Sequence, residues 1–383
     1  MITRAHGAAL AATAAVLALS ACGSSTAGAS GSGSRGKENA GFTKQVQAAI
    51  DTAKAPQPAL QLSPSKAIPG KRIAIVAVTL AETGALRTAK ALAQAAADIG
   101  WTSTTYDAQG SPTTANQKLQ QALTTRPDAV VLVSLDPTDV GSGLNAARQA
   151  GVPVSCAACW DLSAPDKKGS SYADVQPEFA TFESLGHLTA QYAYLQTKNH
   201  PRFLFMNDPA LSNLVARGNG FRQFMKECTE AGGDCSVEAS KDFQVANATT
   251  TLPAEAAALA RAHPKFNAFW MTFDFAGLQA LNGLRQANLA TGNSSFMVAS
   301  NGDAPNLDII KSDGYVKATV AISFEQEAYA TVDNLNRILA GKPTVKQTVP
   351  VRLFDKSNAG EARDGNWSGD VDYRAAYLAS WKG

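Results

Sequence analysis

Short strands rich in β-branched residues alternate with amphipathic helices from Lys71 onward, and this alternation limits the possible folds more than any other feature. Residues 72–78 form a nearly continuous apolar run, which is typical of a strand covered on both faces. A helix predicted over residues 86–99 follows, and the order of strand and helix then repeats. Such alternation is typical of parallel α/β units. Because the units fall into two consecutive blocks, we predict an α/β fold with two doubly wound parallel-sheet lobes and a ligand cleft between them.

The elements of each block can be placed from the same pattern. In the first block, Asp136-Pro-Thr-Asp139 is predicted to cap the start of a helix over residues 140–150. The other predicted elements of this block are strands over residues 103–107, 129–133 and 152–156 and a helix over 114–125. In the second block we predict strands over residues 202–205, near 237, and over 268–271, 296–299 and 316–321, with helices over 181–197, 215–228, 252–263, 277–287 and 306–311.

The first 22 residues have the features of a bacterial lipoprotein signal peptide. Arg4 gives a positive start, residues 8–19 form a short apolar segment, and Leu19-Ser20-Ala21-Cys22-Gly23 resembles the lipobox read by lipoprotein signal peptidase. We therefore predict that Cys22 carries a diacylglycerol and becomes the mature N-terminus. An ordinary signal peptide followed by a chance cysteine is the alternative. One lipidated cysteine would hold the protein on the outer face of the cell membrane without a spanning helix.

A segment rich in glycine and serine follows, from Gly23 to Lys37, with almost no apolar content. Such a segment cannot bury enough apolar surface to offset the entropy of ordering it. Residues 23–70 are therefore predicted to be a flexible tether and lead-in. Residues 31–36 match the glycine spacing of a dinucleotide-binding fingerprint, but no predicted strand precedes them, so we discard that interpretation.

Composition narrows the classes of function. The chain has 383 residues, 45% of them hydrophobic, which is enough to build a sizeable core and more than one domain. A formal net charge of +2 with 17% charged residues gives no indication of a nucleic-acid partner. The four histidines are scattered, and none has the spacing of a zinc site or a catalytic triad. We predict no metal, no cofactor and no enzymatic activity.

Cysteine occurs five times, and four cysteines remain once Cys22 is assigned to the lipid. Cys228 and Cys235 flank a turn-rich loop after a predicted helix, so we predict a local disulfide there. Cys156 and Cys159 form a Cys-x-x-Cys pair, which is typical of a structural disulfide, a redox dithiol or half a zinc site. The spacing of the second pair argues against zinc. We predict a disulfide at a cleft edge and keep redox chemistry as an alternative.

Several local motifs, taken in order, carry a resemblance to a known family. They are the strand at residues 73–79, residues 127–133 before Asp136-Pro-Thr-Asp139, the strand start at residues 150–154, Arg217-Gly-Asn-Gly-Phe221 and residues 335–342. Together these motifs resemble the type I periplasmic binding proteins, in particular the ribose-binding-like cluster. The resemblance covers roughly residues 71–353. The tail, at residues 370–378, is similar to a subset of actinobacterial members.

The resemblance implies a domain plan in which the chain crosses between the lobes three times. The N-lobe would comprise residues 71–172 plus 323–342, and the C-lobe residues 173–322 plus 343–354, followed by a C-terminal tail at 355–383. It also implies a monomer whose lobes close over a small-molecule ligand by a hinge motion and which then contacts the permease of an ABC transporter.

Sugar-binding members of the family stack aromatic rings on the sugar and bond its hydroxyls through planar polar groups. Arg217 matches the arginine of the family's helix motif, and Phe243 matches a stacking aromatic. Glu82 is the polar side chain left in the first loop, where the family has an asparagine and paired aromatics. The resemblance implies these ligand-binding positions: Arg217, Phe243, Glu82, Trp160, Phe273, Asp274, Asn301 and Glu325.

Departures from the family pattern bear on the ligand. Trp160 follows Ala158-Cys159 where sugar binders have Asp-Arg, and Phe273 stands where they have asparagine. Each hydroxyl of a polyhydroxylated ligand that lacks a hydrogen-bonding side chain would cost about 1–3 kcal/mol of binding free energy. The expected ligand is therefore a sugar, or a sugar-like molecule less polar than a free pentose.

The sequence thus predicts an extracellular substrate-binding lipoprotein of an ABC importer. Two alternatives stay open: a ligand-sensing lipoprotein for a membrane kinase, which would use the same lobe closure, and a Cys-x-x-Cys redox protein. A cytoplasmic repressor built on the same lobes is excluded by the export signal.

Overall fold

Two sheets organise the molecule, and the predicted two-lobed α/β fold is confirmed. The computed structural model describes residues 32–164, 170–176, 179–292, 294–362 and 365–383. The strands within these ranges are β1 Arg72–Ala77, β2 Thr102–Asp107, β3 Ala129–Val133, β4 Val154–Ala157, β5 Asp174–Gln176, β6 Arg202–Asn207, β7 Ser236–Asp242, β8 Ala268–Met271, β9 Phe296–Asn301, β10 Val316–Ile322 and β11 Val351–Asp355. The first sheet has the order β2-β1-β3-β4-β5 and the second the order β11-β10-β9-β8-β6-β7. Neighbouring strands are parallel except β10 and β11.

Helices cover both faces of the sheets, which is why central strands such as β3 and β8 are apolar throughout. All five residues of β3 are buried, as expected for a parallel strand covered on both sides. The helices of the described ranges are α1 Ser32–Lys54, α2 Thr83–Asp98, α3 Pro112–Thr124, α4 Gly141–Gln149, α5 Phe179–Gln196, α6 Ser212–Glu230, α7 Leu252–Ala262, α8 Asp274–Gln286, α9 Ala304–Lys311, α10 Phe324–Leu339 and α11 Tyr373–Lys382.

The first lobe extends beyond the boundary that the sequence predicts at residue 172. The short strand β5 pairs in parallel with β4, so the chain stays in the first sheet until it enters α5. The helix α10 also returns to this lobe, where Ala328, Val332 and Leu335 are buried in its core. Three residues of strand give too little periodic pattern to be recognised in the sequence.

The lead-in to the fold is helical where the sequence predicts a flexible tether. The helix α1 places Phe42, Val46 and Ile50 at a spacing of four residues, on one face. Val46 and Ile50 are buried in the core of the second lobe, and the ring of Phe42 packs edge-on against Tyr194 of α5. Three apolar positions at helical spacing therefore outweigh the glycine and serine content that surrounds them.

The C-terminal tail contacts both lobes. Trp367 is buried against Phe354 of the second lobe, with ring centroids 5.6 Å apart. The helix α11 then packs on the first lobe, where Tyr377 and Trp381 are buried in the core. The lead-in after α1 also passes from the second lobe to the first. The two crossing segments touch, because the backbone N–H of Gln57 donates to the carboxylate of Asp370 at 3.0 Å.

Candidate functional site

A small cavity lies between the two lobes, at the carboxyl ends of the parallel strands of both sheets. We call it the inner chamber; its volume is about 30 Å³. That is space for about two water molecules. Its lining comes from both lobes: Val78, Glu82, Gly84, Ala85 and Ser134 from the first, Leu211, Asn213, Leu214, Arg217, Val245, Phe273 and Asn301 from the second, and Phe324 at the start of α10.

Arg217 contributes a buried positive charge to the inner chamber. It is 1% exposed, and its Nη1 donates to the carbonyl of Thr272 at 3.0 Å and to Oγ of Ser300 at 3.2 Å. Its Nε has no hydrogen-bond partner. Burial lowers the pKa of Arg217 to about 10, although the nearby carboxyl of Glu82 acts in the opposite direction. The guanidinium therefore stays charged at neutral pH and retains an unused donor.

Two glycines fix the position of the helix that carries Arg217. The helices α5 and α6 cross so closely that a Cβ on Gly186 would lie 1.8 Å from the carbonyl oxygen of Arg217. A Cβ on Gly220 would lie 1.8 Å from the carbonyl oxygen of Glu183. Side chains at either position are incompatible with this crossing, so the two glycines determine how far Arg217 reaches into the inner chamber.

Glu82 caps the helix α2, which begins three residues earlier than the sequence predicts. Its two carboxylate oxygens accept the backbone N–H groups of Gly84 and Ala85, each at 2.7 Å. Burial raises the pKa of Glu82 to about 7, and the neighbouring Asp303 adds to the effect. The side chain thus lines the inner chamber while it accepts the free backbone N–H groups at the start of α2. Its carboxyl changes protonation state near neutral pH.

Two asparagines add to the polar lining. Asn301 ends β9 with a φ of 131°, and Asn213 lies in the first turn of α6. The Oδ1 atoms of both side chains are buried and have no hydrogen-bond partner. Sequence reasoning missed Asn213. The signal was its position four residues before Arg217, which places both side chains on the same face of α6.

Of the eight ligand-binding positions implied by the sequence, the structure brings Glu82, Arg217, Phe273 and Asn301 together around the inner chamber. Phe243 and Trp160 are buried but do not line it. The ring of Phe243 packs within the second lobe at 6.3 Å from Phe273, between ring centroids. Trp160 belongs to the core of the first lobe.

Asp274 and Glu325 also lie outside the lining. The carboxylate of Asp274 accepts the backbone N–H of Asp303 at 2.8 Å and the hydroxyl of Thr319 at 2.9 Å. It therefore holds the backbone of the loop after β9. Glu325 points away from the inner chamber to Arg87, with Nε to Oε1 at 2.9 Å. Arg87 is buried on α2 and also pairs with Asp303 at 2.9 Å. These contacts bind α2 of the first lobe to the second lobe.

A second contact between the lobes involves a side chain that sequence reasoning assigned differently. Asp136 does not cap α4, whose start has no side-chain cap. Its carboxylate instead crosses the cleft and accepts the backbone N–H of Ser212 at 2.7 Å and the hydroxyl of the same residue at 2.5 Å. Ser212 is the first residue of α6, so a first-lobe carboxylate meets the positive end of a second-lobe helix. Burial raises the pKa of Asp136 to about 6.

The four cysteines of the folded part form two pairs at disulfide distance. Cys228 and Cys235 join the end of α6 to the start of β7, and Cys156 and Cys159 join the end of β4 to the loop after it. Cys156 and Cys159 are 0% and 1% exposed, which leaves no accessible sulfur for thiol exchange. Cys22, the predicted lipidation site, lies outside the described residues.

Neither metal coordination nor membrane spanning is indicated in the described ranges. Within them, no three histidine, cysteine, aspartate or glutamate side chains converge in a way that would hold a metal ion. No helix there has the length and apolar content needed to cross a bilayer.

Comparison with known proteins identifies the family. A family profile for the periplasmic binding protein domain matches residues 73–343. No curated protein sequence matches the chain. Solved structures do. An ABC transporter solute-binding protein of Mycobacterium smegmatis, with bound glycerol, is 18% identical, with a TM-score of 0.68, over 79% of this chain and all of its own.

Two proteins of Agrobacterium vitis are similar to the same extent. One ABC transporter solute-binding protein, with bound α-D-tagatopyranose, is 20% identical with a TM-score of 0.66, over 75% of this chain and 95% of its own. Another, with bound allitol, is 19% identical with a TM-score of 0.63, over 77% of this chain and 98% of its own. At these identities the comparison establishes the fold, and the family profile covers most of the chain. The chain therefore belongs to the type I periplasmic binding proteins.

Proposed function

We propose that this protein is an extracellular, lipid-anchored substrate-binding protein of an ABC importer, which closes its lobes over a sugar or a less polar sugar-like molecule. The observation that carries the proposal is a set of buried polar atoms around a cavity between the lobes. Nε of Arg217 and the Oδ1 atoms of Asn213 and Asn301 have no partner in the chain. Because unpaired buried polar groups are costly, hydroxyls of a ligand would be their natural partners.

Each lining residue has a separate role in this proposal. Arg217 would donate to ligand hydroxyls, Asn213 and Asn301 would accept from them, and Phe273 would offer an apolar face to the ring. Glu82 has a pKa of about 7. Its neutral carboxyl would donate a hydrogen bond to the ligand, and its charged carboxylate would accept one. The bound sugars and polyols named for the similar solved structures support this ligand class.

The sequence supports the proposed anchor, and the family supports the proposed transport partner. We propose that Cys22 is lipidated and holds the protein on the outer face of the membrane, where the ligand-bound lobes would meet the permease. Replacing Cys22 with serine should abolish both the incorporation of radiolabelled fatty acid and the cleavage that precedes residue 22. Unchanged incorporation in Cys22→Ser would remove the anchor from the proposal.

A thermal-shift screen against sugars and polyols tests the binding role. A ligand present at a hundredfold excess over its Kd should stabilise the fold by about 2.7 kcal/mol. Arg217→Ala should abolish the shift, whereas Arg222→Ala is the matched control because Arg222 is exposed on the same helix. A shift that survives Arg217→Ala would place the ligand elsewhere. No shift with any sugar or polyol would contradict the proposed ligand class.

A further inference from the structure

A second and larger cavity adjoins the inner chamber. We call it the outer chamber; its volume is about 230 Å³. It also lies between the lobes, because Gly110 to Pro112 of the first lobe and Gln244 to Ala246 of the second both line it. A Cβ on Gly110 would lie 2.9 Å from that of Ala246, so the lobes touch at its rim.

The wall between the two chambers consists of three aliphatic side chains. Val78, Leu211 and Val245 line both cavities. Their backbones are held by hydrogen bonds, such as the one from the N–H of Val245 to Asp208 at 2.8 Å. Their side chains carry no polar atom, so a change of rotamer that opens the wall breaks no hydrogen bond. A sugar ring needs more room than the inner chamber offers, and opening this wall would supply it.

The two chambers differ in the buried polar atoms that lack a hydrogen-bond partner. In the inner chamber, Arg217, Asn213 and Asn301 retain buried polar atoms without partners. In the outer chamber, the polar side chains already accept hydrogen bonds from the chain. Asp208 accepts two backbone N–H groups, at 2.8 and 2.9 Å, and Gln244 accepts one from a neighbouring amide at 3.0 Å.

Two further polar groups of the outer chamber are engaged in the same way. Ser111 accepts the backbone N–H of Thr114 at 3.3 Å, and Asp139 accepts that of Asp136 at 3.3 Å. The remaining lining is aliphatic or small and includes Pro112, which contributes no backbone donor. Eight of the twelve residues that line the outer chamber are aliphatic or small, so it offers mainly apolar surface, whereas the inner chamber has buried polar atoms without partners.

From this contrast we propose that the physiological ligand is an amphipathic sugar derivative, with a polyhydroxylated head at the inner chamber and an apolar substituent, such as an alkyl or aryl aglycone, in the outer chamber. This inference rests on the proposed function and narrows its ligand class. A free monosaccharide would satisfy the inner polar atoms but leave the apolar surface of the outer chamber uncovered.

Titration calorimetry with matched ligands tests the inference. The probes are D-galactose, L-arabinose and D-allose, each compared with its methyl and n-butyl glycosides, on the full chain carrying Cys22→Ser. Each buried methylene should tighten the Kd about fourfold, so the three extra methylenes of the butyl glycoside should give up to about 60-fold over the methyl glycoside.

A variant that fills the outer chamber separates this effect from non-specific attraction. Ala210 is exposed at the outer chamber and does not line the inner one, so Ala210→Trp should abolish the gain in affinity of the butyl glycoside over the methyl glycoside. Ala375→Trp, at an exposed position on α11, is the control and should keep the gain.

The possible outcomes are distinct. Binding of the sugars with no gain along the alkyl series would overturn the two-chamber inference and leave the proposed function standing. A gain that persists in Ala210→Trp would place the alkyl group outside the outer chamber and also overturn it. If neither the sugars nor their glycosides bind, the proposed function and this inference both fall.

Discussion

Glu82 and Arg217 share one buried cavity, so each influences the charge of the other. The positive charge of Arg217 lowers the pKa of Glu82, but burial and the neighbouring Asp303 outweigh it. The unfolded chain exposes Glu82 to water, where its pKa returns to about 4.5. The protonation of this single side chain therefore differs between the folded and unfolded protein over a defined range of pH.

Stability should fall as the pH rises through this range. Between about pH 4.5 and about pH 7 the folded protein binds a proton at Glu82 that the unfolded chain has released, so the free energy of unfolding decreases with pH. The shift corresponds to about 3 kcal/mol. Urea denaturation at pH 5 and pH 8 should show a smaller difference for Glu82→Gln than for the unmodified protein. Glu230→Gln, at an exposed position, is the control, and equal differences for all three proteins would refute the assignment.

The residues of the inner chamber were only partly predictable from the sequence. Arg217 and Asn301 were identified because local motifs place them at a helix face and a strand end. Phe243 and Glu325 were placed in the cleft by the same motifs, but they turn towards the second-lobe core and towards Arg87. A sequence pattern fixes the spacing of side chains, whereas the direction in which each one points depends on neighbours far away in the chain.

The close crossing of α5 and α6 makes a second prediction. Gly186→Ala would place a methyl group 1.8 Å from the carbonyl oxygen of Arg217, so the helices must separate. Overpacking of this kind typically costs about 1–3 kcal/mol of stability and should also displace Arg217, which weakens ligand binding. Gly141→Ala is the control, because a Cβ there meets no atom within 4 Å. Denaturation and ligand titration of both variants check the prediction, and a Gly186→Ala protein with unchanged stability would contradict it.

The contact of Asp136 with the start of α6 makes a third prediction, because it exists only while the lobes touch. Capping interactions contribute about 1 kcal/mol, so Asp136→Ala should favour more open lobes and weaken ligand affinity about fivefold. Asp372→Ala is the control, since its carboxylate caps α11 by accepting the backbone N–H of Ala375 at 2.9 Å and lines neither chamber. Small-angle X-ray scattering measures lobe opening, and an unchanged radius of gyration and affinity in Asp136→Ala would show that the contact does not hold the lobes together.

The sequence predicted most elements but misassigned the elements whose partners are distant. The strand β5 was missed because three residues carry little pattern, and α1 was hidden by its glycine and serine content. The sequence around Asp136 is typical of a local helix cap, yet the carboxylate of Asp136 caps the helix that begins 76 residues later in the chain. Local propensity predicts that a cap exists, whereas the tertiary fold decides which helix receives it.

The lobes are connected by more segments than the family resemblance implies. Besides the three expected crossings, the lead-in after α1 and the tail before α11 pass from the second lobe to the first. Both additional segments lie beside the expected crossing near residues 346–351, and all three line one groove. This arrangement ties the two ends of the chain into the hinge region, which explains why residues outside the family match are well packed.

The anchoring of the tail is testable. Trp381 is 4% exposed, stacks on Tyr329 with ring centroids 5.8 Å apart, and donates its indole N–H to Asp333 at 2.9 Å. Trp381→Ala should therefore lower the free energy of unfolding by about 3–5 kcal/mol. Lys382→Ala, at the exposed neighbouring position, should change it by less than about 0.5 kcal/mol. Equal effects in chemical denaturation would mean that α11 contributes little to the first lobe.

The two ends of the folded chain are carried by opposite lobes, since α1 packs on the second and α11 on the first. A rotation of the lobes about the hinge moves these two helices relative to each other. A donor fluorophore on the exposed face of α1 and an acceptor on that of α11 would follow the cleft angle by energy transfer. Because neither helix lines the inner or the outer chamber, the chain is already arranged as the framework of an optical sensor for whatever it binds.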